Sequence, residues 1–280
     1  MKKDIYYTSA PLPFIGQKRM FIKHFKKILL ENIPGDGDGW TIVDVFGGSG
    51  LLSHVAKRLK PKARVIYNDF DGYSERLKNI NDINRLRKLI ENEIKGIKKG
   101  SRLSKEIKNN IIKVIDKFNG YKDTHILCSW LLFSGNQVKS LEDLYKKTFW
   151  QCLKINDYPD ASNYLDGIEI TNEAFHTLIP KFKEQKHTLL LLDPPYLCTA
   201  QASYQNKNYF DLIDFLNLIN LTQAPFIFFS STKSEFVRFL NWLIENKGQN
   251  WEEFVDTKKI TVKAIANYCV KYEDNLIFKF

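Results

Sequence analysis

The sequence predicts a mixed α/β fold with a mostly parallel sheet, a closing antiparallel pair of strands and a mainly helical insertion. Two strand–turn units near the start of the chain, the first followed by a helix, predict the parallel sheet. A basic, helix-compatible stretch that interrupts the β-rich pattern predicts the insertion. Two β-like stretches near the end, around 254–262 and 275–280, predict the antiparallel pair.

The elements of the predicted sheet follow from short apolar runs bounded by glycine and polar residues. The first strand spans 41–46 and is followed by a glycine turn and a helix over 51–59. The second strand spans 63–67 and ends in an Asn-Asp loop. Further strands are predicted after the insertion, and a helix follows the last of them; these elements are 167–171, 188–192, 225–229 and the helix 234–245.

The composition suits one catalytic domain of ordinary size with a smaller insertion. The chain has 280 residues, of which 44% are hydrophobic. Its formal charge of +10 suits a nucleic acid partner, although a basic solvated surface gives the same excess. The scattered cysteines predict reduced thiols in a cytoplasmic protein; they are Cys128, Cys152, Cys198 and Cys269. Since no segment reaches the ~18 apolar residues of a membrane span, we expect a soluble protein.

The insertion is predicted over residues 73–165, which leaves 1–72 and 166–280 as the catalytic domain. Residues 72–122 hold 14 lysines and arginines against 6 acidic residues, and the helical pattern continues to about residue 163. Such a segment can contact DNA phosphates and supply affinity that falls with salt. The candidate phosphate contacts are Arg85, Arg87, Lys88, Lys98, Lys99 and Arg102.

A glycine-rich turn follows the first predicted strand and indicates a nucleoside site. It reads Asp44-Val45-Phe46-Gly47-Gly48-Ser49-Gly50 and departs from the dinucleotide pattern G-x-G-x-x-G. We therefore favour another nucleoside ligand at the carboxyl ends of the strands over a dinucleotide. Asp69, after the second strand, is our candidate to accept hydrogen bonds from ribose hydroxyls, with Asp71 as the alternative.

The motif Asp193-Pro194-Pro195-Tyr196 follows a strongly apolar strand and indicates chemistry on an exocyclic amine. Two prolines stiffen the loop and leave carbonyl oxygens free to accept hydrogen bonds. The Asp193 carboxylate and the Pro194 carbonyl can accept hydrogen bonds from both N–H groups of the amine. These hydrogen bonds favour the pyramidal geometry in which the nitrogen lone pair is available. Tyr196 can stack on the base, which must first leave the duplex.

With these motifs in this order, the chain resembles the D12-class, or alpha-group, adenine-N6 DNA methyltransferases over nearly its whole length. The resemblance implies a Rossmann-like methyltransferase fold, S-adenosylmethionine as cofactor and residues 73–165 as a target-recognition domain. The family's aromatic-x-G-G-K motif is similar to Phe14-Ile15-Gly16-Gln17-Lys18, with Gln17 in place of the second glycine. The implied cofactor-binding residues are Phe14, Lys18, Asp44, Phe46, Gly47, Gly48, Gly50, Asp69, Phe175 and Asp193.

Two further segments are interpreted through this resemblance. After the third strand the family places an aspartate on the cofactor's adenine, where this sequence has Ala174. Either Glu173 substitutes, or the backbone and Phe175 alone hold the ring. The loop 197–209 is expected to close over the flipped base, with Tyr204 as a DNA contact.

The resulting hypothesis is direct methyl transfer from S-adenosylmethionine to the N6 amine of a flipped adenine in double-stranded DNA. We expect no metal, no covalent enzyme intermediate and no membrane partner, and a monomer or weak dimer. The lysine-rich insertion favours a short or relaxed target, typical of stand-alone or phage-borne bacterial enzymes more than of long restriction–modification sites. The alternatives are cytosine-N4 methylation, methylation of a protein glutamine amide, and an inactive DNA-binding relative.

Overall fold

The computed structural model describes residues 6–196, 210–231, 235–267 and 270–280, without the side chains of 264–272. In these ranges the chain forms a seven-stranded sheet with the order β3-β2-β1-β4-β5-β7-β6. The strands are β1 (Thr41–Asp44), β2 (Arg64–Asn68), β3 (Glu169–Thr171), β4 (Thr188–Leu192), β5 (Phe226–Ser231), β6 (Lys258–Asn267) and β7 (Val270–Lys279).

The sheet is parallel from β3 to β5, and β7 and β6 close it with antiparallel pairing. The predicted α/β fold is therefore confirmed, including the closing pair. The α-helices are α1 (Ile22–Asn32), α2 (Leu51–Leu59), α3 (Tyr73–Lys78), α4 (Ile80–Glu93), α5 (Lys105–Lys117), α6 (Thr124–Leu131), α7 (Leu141–Lys146), α8 (Phe175–Leu178), α9 (Leu212–Leu221) and α10 (Phe236–Glu245).

The central strands bury both faces, as continuous apolar runs in a parallel sheet require. Along β4, Leu189 and Leu191 join one hydrophobic cluster, which also contains residues of α1 and α2. Leu190 and Leu192 join a second cluster with residues of α8, α9 and α10 on the other face. The period-two alternation of a strand therefore assigns successive leucines to opposite layers.

The helices α3 to α7 enclose a third hydrophobic cluster, built from residues 73–164 together with Leu12. Tyr73 joins the N-terminal segment to these helices, because its hydroxyl lies 2.9 Å from both the backbone nitrogen and the carbonyl oxygen of Leu12. The division of the chain into a catalytic domain and an inserted domain agrees with this separate core and stays a prediction.

The last part of the predicted helical insertion is not helical. Helix α7 ends at Lys146, and the stretch from there to β3, all of which the structure describes, contains no α-helix. Asn, Asp, Pro and Gly recur through 155–167, and these residue types favour turns over helices. An isolated antiparallel bridge between Arg102 and Trp150 instead ties this stretch to the segment before α5. The expectation of helix to about residue 163 was therefore wrong.

Candidate active site

Three acidic residues mark the carboxyl edge of the parallel sheet. Asp44 is the last residue of β1, Asp69 directly follows β2, and Asp193 directly follows β4. The three strands are neighbours, since β1 pairs with both β2 and β4. The topology thus brings side chains that are distant in sequence to one crevice, the usual ligand position of open α/β sheets.

The glycine turn after β1 lets aromatic rings approach the backbone closely. A Cβ at Gly47 would lie 2.2 Å from Cδ2 of the buried Tyr67, and one at Gly48 would lie 2.9 Å from Cε1 of Phe14. Gly50 has a left-handed φ of 68° and directly precedes α2. Because any larger side chain would collide at the first two positions, glycine is required there for packing.

Asp44 is buried, and its carboxylate is only half satisfied. The Ser53 hydroxyl donates to Oδ2 at 2.6 Å, whereas Oδ1 has no hydrogen-bond partner in the described structure. Burial raises the pKa of Asp44 to about 7; the Ser53 hydrogen bond opposes this rise, and the charge of Asp193 adds to it. An orphaned buried oxygen beside the glycine turn is suited to accept a hydrogen bond from a cationic ligand.

Lys18 and Asp193 form the ion pair of the site, with Nζ 2.7 Å from Oδ2. The Lys18 ammonium also donates to the Gly16 carbonyl at 2.9 Å and lies 5.5 Å from the centre of the Tyr196 ring. Burial raises the pKa of Asp193, while Lys18 opposes that rise. The motif at 14–18 and the Asp-Pro-Pro-Tyr loop therefore contact each other, although they are far apart in the sequence.

The Asp-Pro-Pro-Tyr loop packs against an apolar surface. Pro194 and Pro195 are buried, and a small cavity beneath them is lined by phenylalanines of β5 and α10. Among these, Phe228 and Phe236 stack with their ring centroids 4.1 Å apart. Burial also raises the pKa of the Tyr196 hydroxyl, which keeps it neutral. This packing holds the loop in place and so fixes the position of the Asp193 carboxylate.

The substitution of glycine by Gln17 is accommodated by the local backbone. Gly16 has a φ of 88°, in the left-handed region, whereas Gln17 is not among the described non-glycine residues with positive φ. The Gln17 side chain accepts a hydrogen bond from the Ala10 backbone at 3.1 Å. Only the first position of this pair needs glycine, and the glutamine anchors the preceding segment.

Asp69 is buried and caps helix α3. Its carboxylate accepts hydrogen bonds from the backbone of Tyr73 at 2.6 Å and Ser74 at 2.8 Å. The Tyr67 hydroxyl lies 2.9 Å from Asp69 Oδ1 and 2.7 Å from the Gly48 carbonyl oxygen. These contacts join the glycine turn to α3, and a ribose would share a carboxylate that already serves three protein donors.

Aromatic rings lie within and beside the glycine turn. Phe46 and Phe175 pack with centroids 5.8 Å apart, and Phe175 is 8% exposed. The Glu173 carboxylate pairs with Lys181 and accepts a hydrogen bond from the Thr171 hydroxyl at 2.9 Å. Glu173 is therefore already engaged by protein groups, and both candidate contacts of an adenine ring, Glu173 or the backbone with Phe175, stay predictions.

Several residues that support the site have no motif around them. Besides Ser53, the side chain of Asn68 bridges two connections: its amide donates to the Val45 carbonyl at 2.9 Å and to the Glu173 carbonyl at 2.8 Å. The Tyr164 hydroxyl donates to the Ser49 carbonyl at 3.1 Å. The supporting role of Asn68 could have been predicted from its position, because it is a polar residue at the end of an apolar strand. For Tyr164, no feature of the neighbouring sequence indicates a contact with the glycine turn.

The predicted phosphate contacts fall into three groups. Lys98, Lys99 and Arg102 are exposed and have no acidic partner among the described residues. Arg85 and Lys88 are also exposed but pair with Asp82 and Asp157. Arg87 is only 4% exposed and is held by Asp157, Glu91 and two backbone carbonyls. It belongs to the core of the helical region, so we do not retain it as a phosphate contact.

The remaining predicted features are placed as follows. Tyr204 and the loop 197–209 lie outside the described residues, as do Cys198 and Cys269. In the described part of the chain, no group of three or more His, Cys, Asp or Glu side chains could hold a metal ion. The same part contains no helix long and apolar enough to cross a membrane.

Residues 14–223 match the model of a family described as D12 class N6 adenine-specific DNA methyltransferase. This range starts at Phe14 and includes the glycine turn and the Asp-Pro-Pro-Tyr loop. The chain belongs to this family. It is also 63% identical over 275 residues to a Haemophilus influenzae protein named "Putative methyltransferase", covering 98% of this chain and 93% of that protein.

A solved structure from Clostridium thermocellum, described as a "putative rRNA-methylase", is 12% identical to this chain. The match covers 92% of this chain and 97% of that chain with a TM-score of 0.36. A likeness at this level supports no conclusion about substrate. Family membership and the similarity to the Haemophilus influenzae protein identify this chain as a methyltransferase.

Proposed function

We propose that this methyltransferase transfers a methyl group from S-adenosylmethionine to the N6 amine of an adenine in double-stranded DNA. The observation that carries the proposal is the Lys18–Asp193 ion pair, 2.7 Å long, at the start of the Asp-Pro-Pro-Tyr loop. It joins the two family motifs into one polar site at the carboxyl edge of the sheet. Family membership supports adenine over the other amines that such a site could accept.

The residues present fit S-adenosylmethionine. This cofactor carries a methyl group activated by a positively charged sulfonium, and its amino acid end carries an ammonium and a carboxylate. The unpartnered Asp44 Oδ1 can accept a hydrogen bond from the ammonium, the Asp193 carboxylate supplies negative charge for the cationic groups, and Lys18 supplies a cation for the carboxylate. The glycine turn leaves the backbone accessible, and Phe46 and Phe175 offer an apolar surface for the adenine ring.

Asp193 and Pro194 are the proposed catalytic acceptors. An adenine amine is a poor nucleophile because its lone pair is delocalised into the ring. The ionised Asp193 carboxylate and the Pro194 carbonyl accept hydrogen bonds from its two N–H groups and stabilise the pyramidal nitrogen of the transition state. Because of its charge, Lys18 lowers the pKa of Asp193 and so favours the ionised form. Pro195 stiffens the loop, and the Tyr196 ring stacks on the base.

The amine reaches this crevice only if the adenine leaves the duplex, because a stacked base cannot enter it. The exposed Lys98, Lys99 and Arg102 are the proposed phosphate contacts that hold the DNA, and Arg85 and Lys88 are further candidates. Arg102 pairs through its backbone with Trp150, and the exposed Phe133 packs on Trp150 at 4.8 Å. An aromatic surface next to basic side chains is a common composition for nucleic acid contacts.

The test is methylation of plasmid DNA by the purified protein, followed by sequencing that detects N6-methyladenine and N4-methylcytosine separately. We expect N6-methyladenine with the wild type and none with Asp193→Ala, while calorimetry shows that the variant still binds S-adenosylmethionine. Substantial turnover by Asp193→Ala would contradict the assigned mechanism.

This experiment, together with a DNA-binding assay and a methylation assay on protein substrates, addresses the alternatives. N4-methylcytosine as the product would replace adenine by cytosine as the substrate base. A wild type that binds DNA but neither binds S-adenosylmethionine nor methylates would be an inactive DNA-binding relative. Methylation of a protein glutamine without any DNA product would exclude the nucleic acid substrate.

A further inference from the structure

A second cavity, whose lining is mostly apolar with several polar groups, lies beside the active site between the N-terminal segment and the helical insertion. Its lining residues are Pro13, Phe14, Ile15, Asp71, Arg76, His125 and Gln137. Phe14 connects it to the active site, because the same ring packs against the backbone at Gly48. We call this cavity the Gln137 pocket. The proposed mechanism uses none of its polar groups.

Two polar side chains of the Gln137 pocket are hydrogen-bonded to each other. His125 Nδ1 lies 3.2 Å from Gln137 Oε1. Since the amide oxygen can only accept, Nδ1 carries the proton, and Nε2 of the neutral ring is left as an acceptor. Burial and the nearby Arg76 both lower the pKa of His125, which favours this neutral form. The Gln137 amide group retains its two N–H donors.

The charge of the pocket argues against a phosphate as its ligand. Arg76 is the cation of the lining, and its Nε donates to Asp123 at 2.6 Å within a buried ion pair. Its Nη2 donates to the Pro13 carbonyl at 3.0 Å. Asp71 adds a carboxylate to the wall. A neutral ligand with both donors and acceptors along one edge is better matched to this set than an anion.

The composition of the lining and its position both point to a heterocyclic base. Pro13, Phe14 and Ile15 supply the apolar part of the lining, and Ile15 is 56% exposed. Gln137 follows a loop in which Ser134 and Gly135 have left-handed φ values of 56° and 72°. That loop begins at Phe133, which is 53% exposed on the surface proposed above for DNA.

We propose that the Gln137 pocket receives the hydrogen-bonding edge of a DNA base next to the methylated adenine, and that Gln137 and His125 select that base. The inference rests on the proposed DNA methylation and adds a determinant of its sequence preference. A glutamine amide can pair with two positions on one base edge, and such pairs discriminate strongly between bases.

The experiment uses a DNA library with random bases on both sides of a single adenine, methylated by the full-length protein and read by sequencing. We expect Gln137→Ala to lower the preference at one flanking position by about 5- to 150-fold, the range for loss of a two-point base contact. Gln137→Glu keeps an acceptor for the His125 proton but replaces the amide donors, so it should favour a different base at the same position.

Gln249→Ala is the matched control, since it removes an exposed amide of the catalytic region that does not line the pocket. Calorimetry with S-adenosylmethionine and the thermal midpoint are measured for every variant and should stay at wild-type values. The inference is overturned if Gln137→Ala keeps the wild-type preference, if methylation falls equally in all contexts, or if cofactor binding is lost instead. Absence of DNA methylation by the wild type itself would overturn the proposed function, and the inference with it.

Discussion

Lys18 makes the activity of Asp193 depend on a neighbouring positive charge. Burial raises the pKa of Asp193, and Lys18 is the main influence that lowers it again. Because the proposed mechanism needs the ionised carboxylate, methylation should fail below the pKa of Asp193. Removing Lys18 should therefore extend the inactive range upward in pH.

We expect Lys18→Met to move the acidic limb of the pH profile of kcat to higher pH and to lower the rate at neutral pH. Lys18→Arg, which keeps the charge, should leave the limb near its wild-type position. Rates of methylation across the range from mildly acidic to mildly basic pH measure this shift. An unchanged limb in Lys18→Met would mean that the ion pair does not set the ionisation of Asp193.

Asp44 should make the stability of the protein depend on pH. Its pKa is about 7 in the folded protein against 3.8 as the ordinary value, so the folded state binds a proton more tightly than the unfolded state. The sign follows from linkage: the stability that this group contributes is fully present below its ordinary pKa and is lost as pH rises towards about 7. The loss is on the order of 4 kcal/mol at most.

Asp44→Asn keeps an acceptor for the Ser53 hydroxyl but cannot ionise. The variant should therefore lose less stability than the wild type as pH rises through this window. Urea unfolding at several pH values measures the difference. Parallel curves for wild type and Asp44→Asn would contradict the raised pKa.

At the scale of elements, the glycine turn depends on a close contact between two strand ends. A methyl group at Gly47 would overlap the Tyr67 ring at 2.2 Å, and this ring is fully buried. We expect Gly47→Ala to destabilise the fold by about 1–3 kcal/mol, as overpacking does. It should also weaken S-adenosylmethionine binding, because the turn must move.

The companion substitution Tyr67→Leu removes the ring that causes the overlap. In a double-mutant cycle, the added cost of Gly47→Ala should be smaller in the Tyr67→Leu background than in the wild type. Chemical unfolding gives the free energies, and calorimetry gives the cofactor affinities. Additive effects would show that the cost of Gly47→Ala has a source other than this contact.

The element boundaries show which local signals were sufficient. Helix α2 and strand β4 have the bounds that the sequence predicts, because their apolar patterns are strong and their ends are marked by glycine or a charged residue. The helix predicted for the stretch after α7 is wrong, because the scattered apolar residues of this stretch mimic a helical period while its Asn, Asp and Pro favour turns. Tertiary contacts such as the Arg102–Trp150 bridge decide its path.

At the scale of the whole molecule, charge is concentrated in the helical insertion. The triple variant Lys98→Ala, Lys99→Ala, Arg102→Ala should weaken DNA binding at low salt and reduce the slope of log affinity against log salt by roughly 3. Fluorescence anisotropy with a DNA duplex at several salt concentrations measures both effects. Thermal stability should change little, since these side chains are exposed.

The matched control removes the same charge from the opposite edge of the sheet, at Lys62, Lys183 and Lys186, which precede β2 and β4. It should lower the affinity less than the insertion variant does. Arg87→Ala gives the contrasting result: a loss of stability of about 1–3 kcal/mol, because two backbone carbonyls lose the buried donor that satisfies them. Equal effects of the two triple variants on DNA binding would contradict the proposed surface.

The fold class, the order of the motifs and the residue types of the site can all be predicted from the sequence. Apolar periodicity and glycine turns are local properties, so they can be read without the fold. The Asp-Pro-Pro-Tyr loop and the glycine turn are likewise contiguous, which is why Asp193 and Gly47 could be named at the outset.

Which of these residues meet, and which are already bound to other protein groups, depends on the folded chain. The Lys18–Asp193 pair, the orphaned oxygen of Asp44 and the capping role of Asp69 depend on strands brought together across long separations. Arg87 is buried and Arg85 is exposed, and a count of charged residues in the sequence does not show this difference. The physical reason is that the pKa, the hydrogen bonding and the accessibility of a side chain are set by neighbours in space, and those neighbours are distant in sequence.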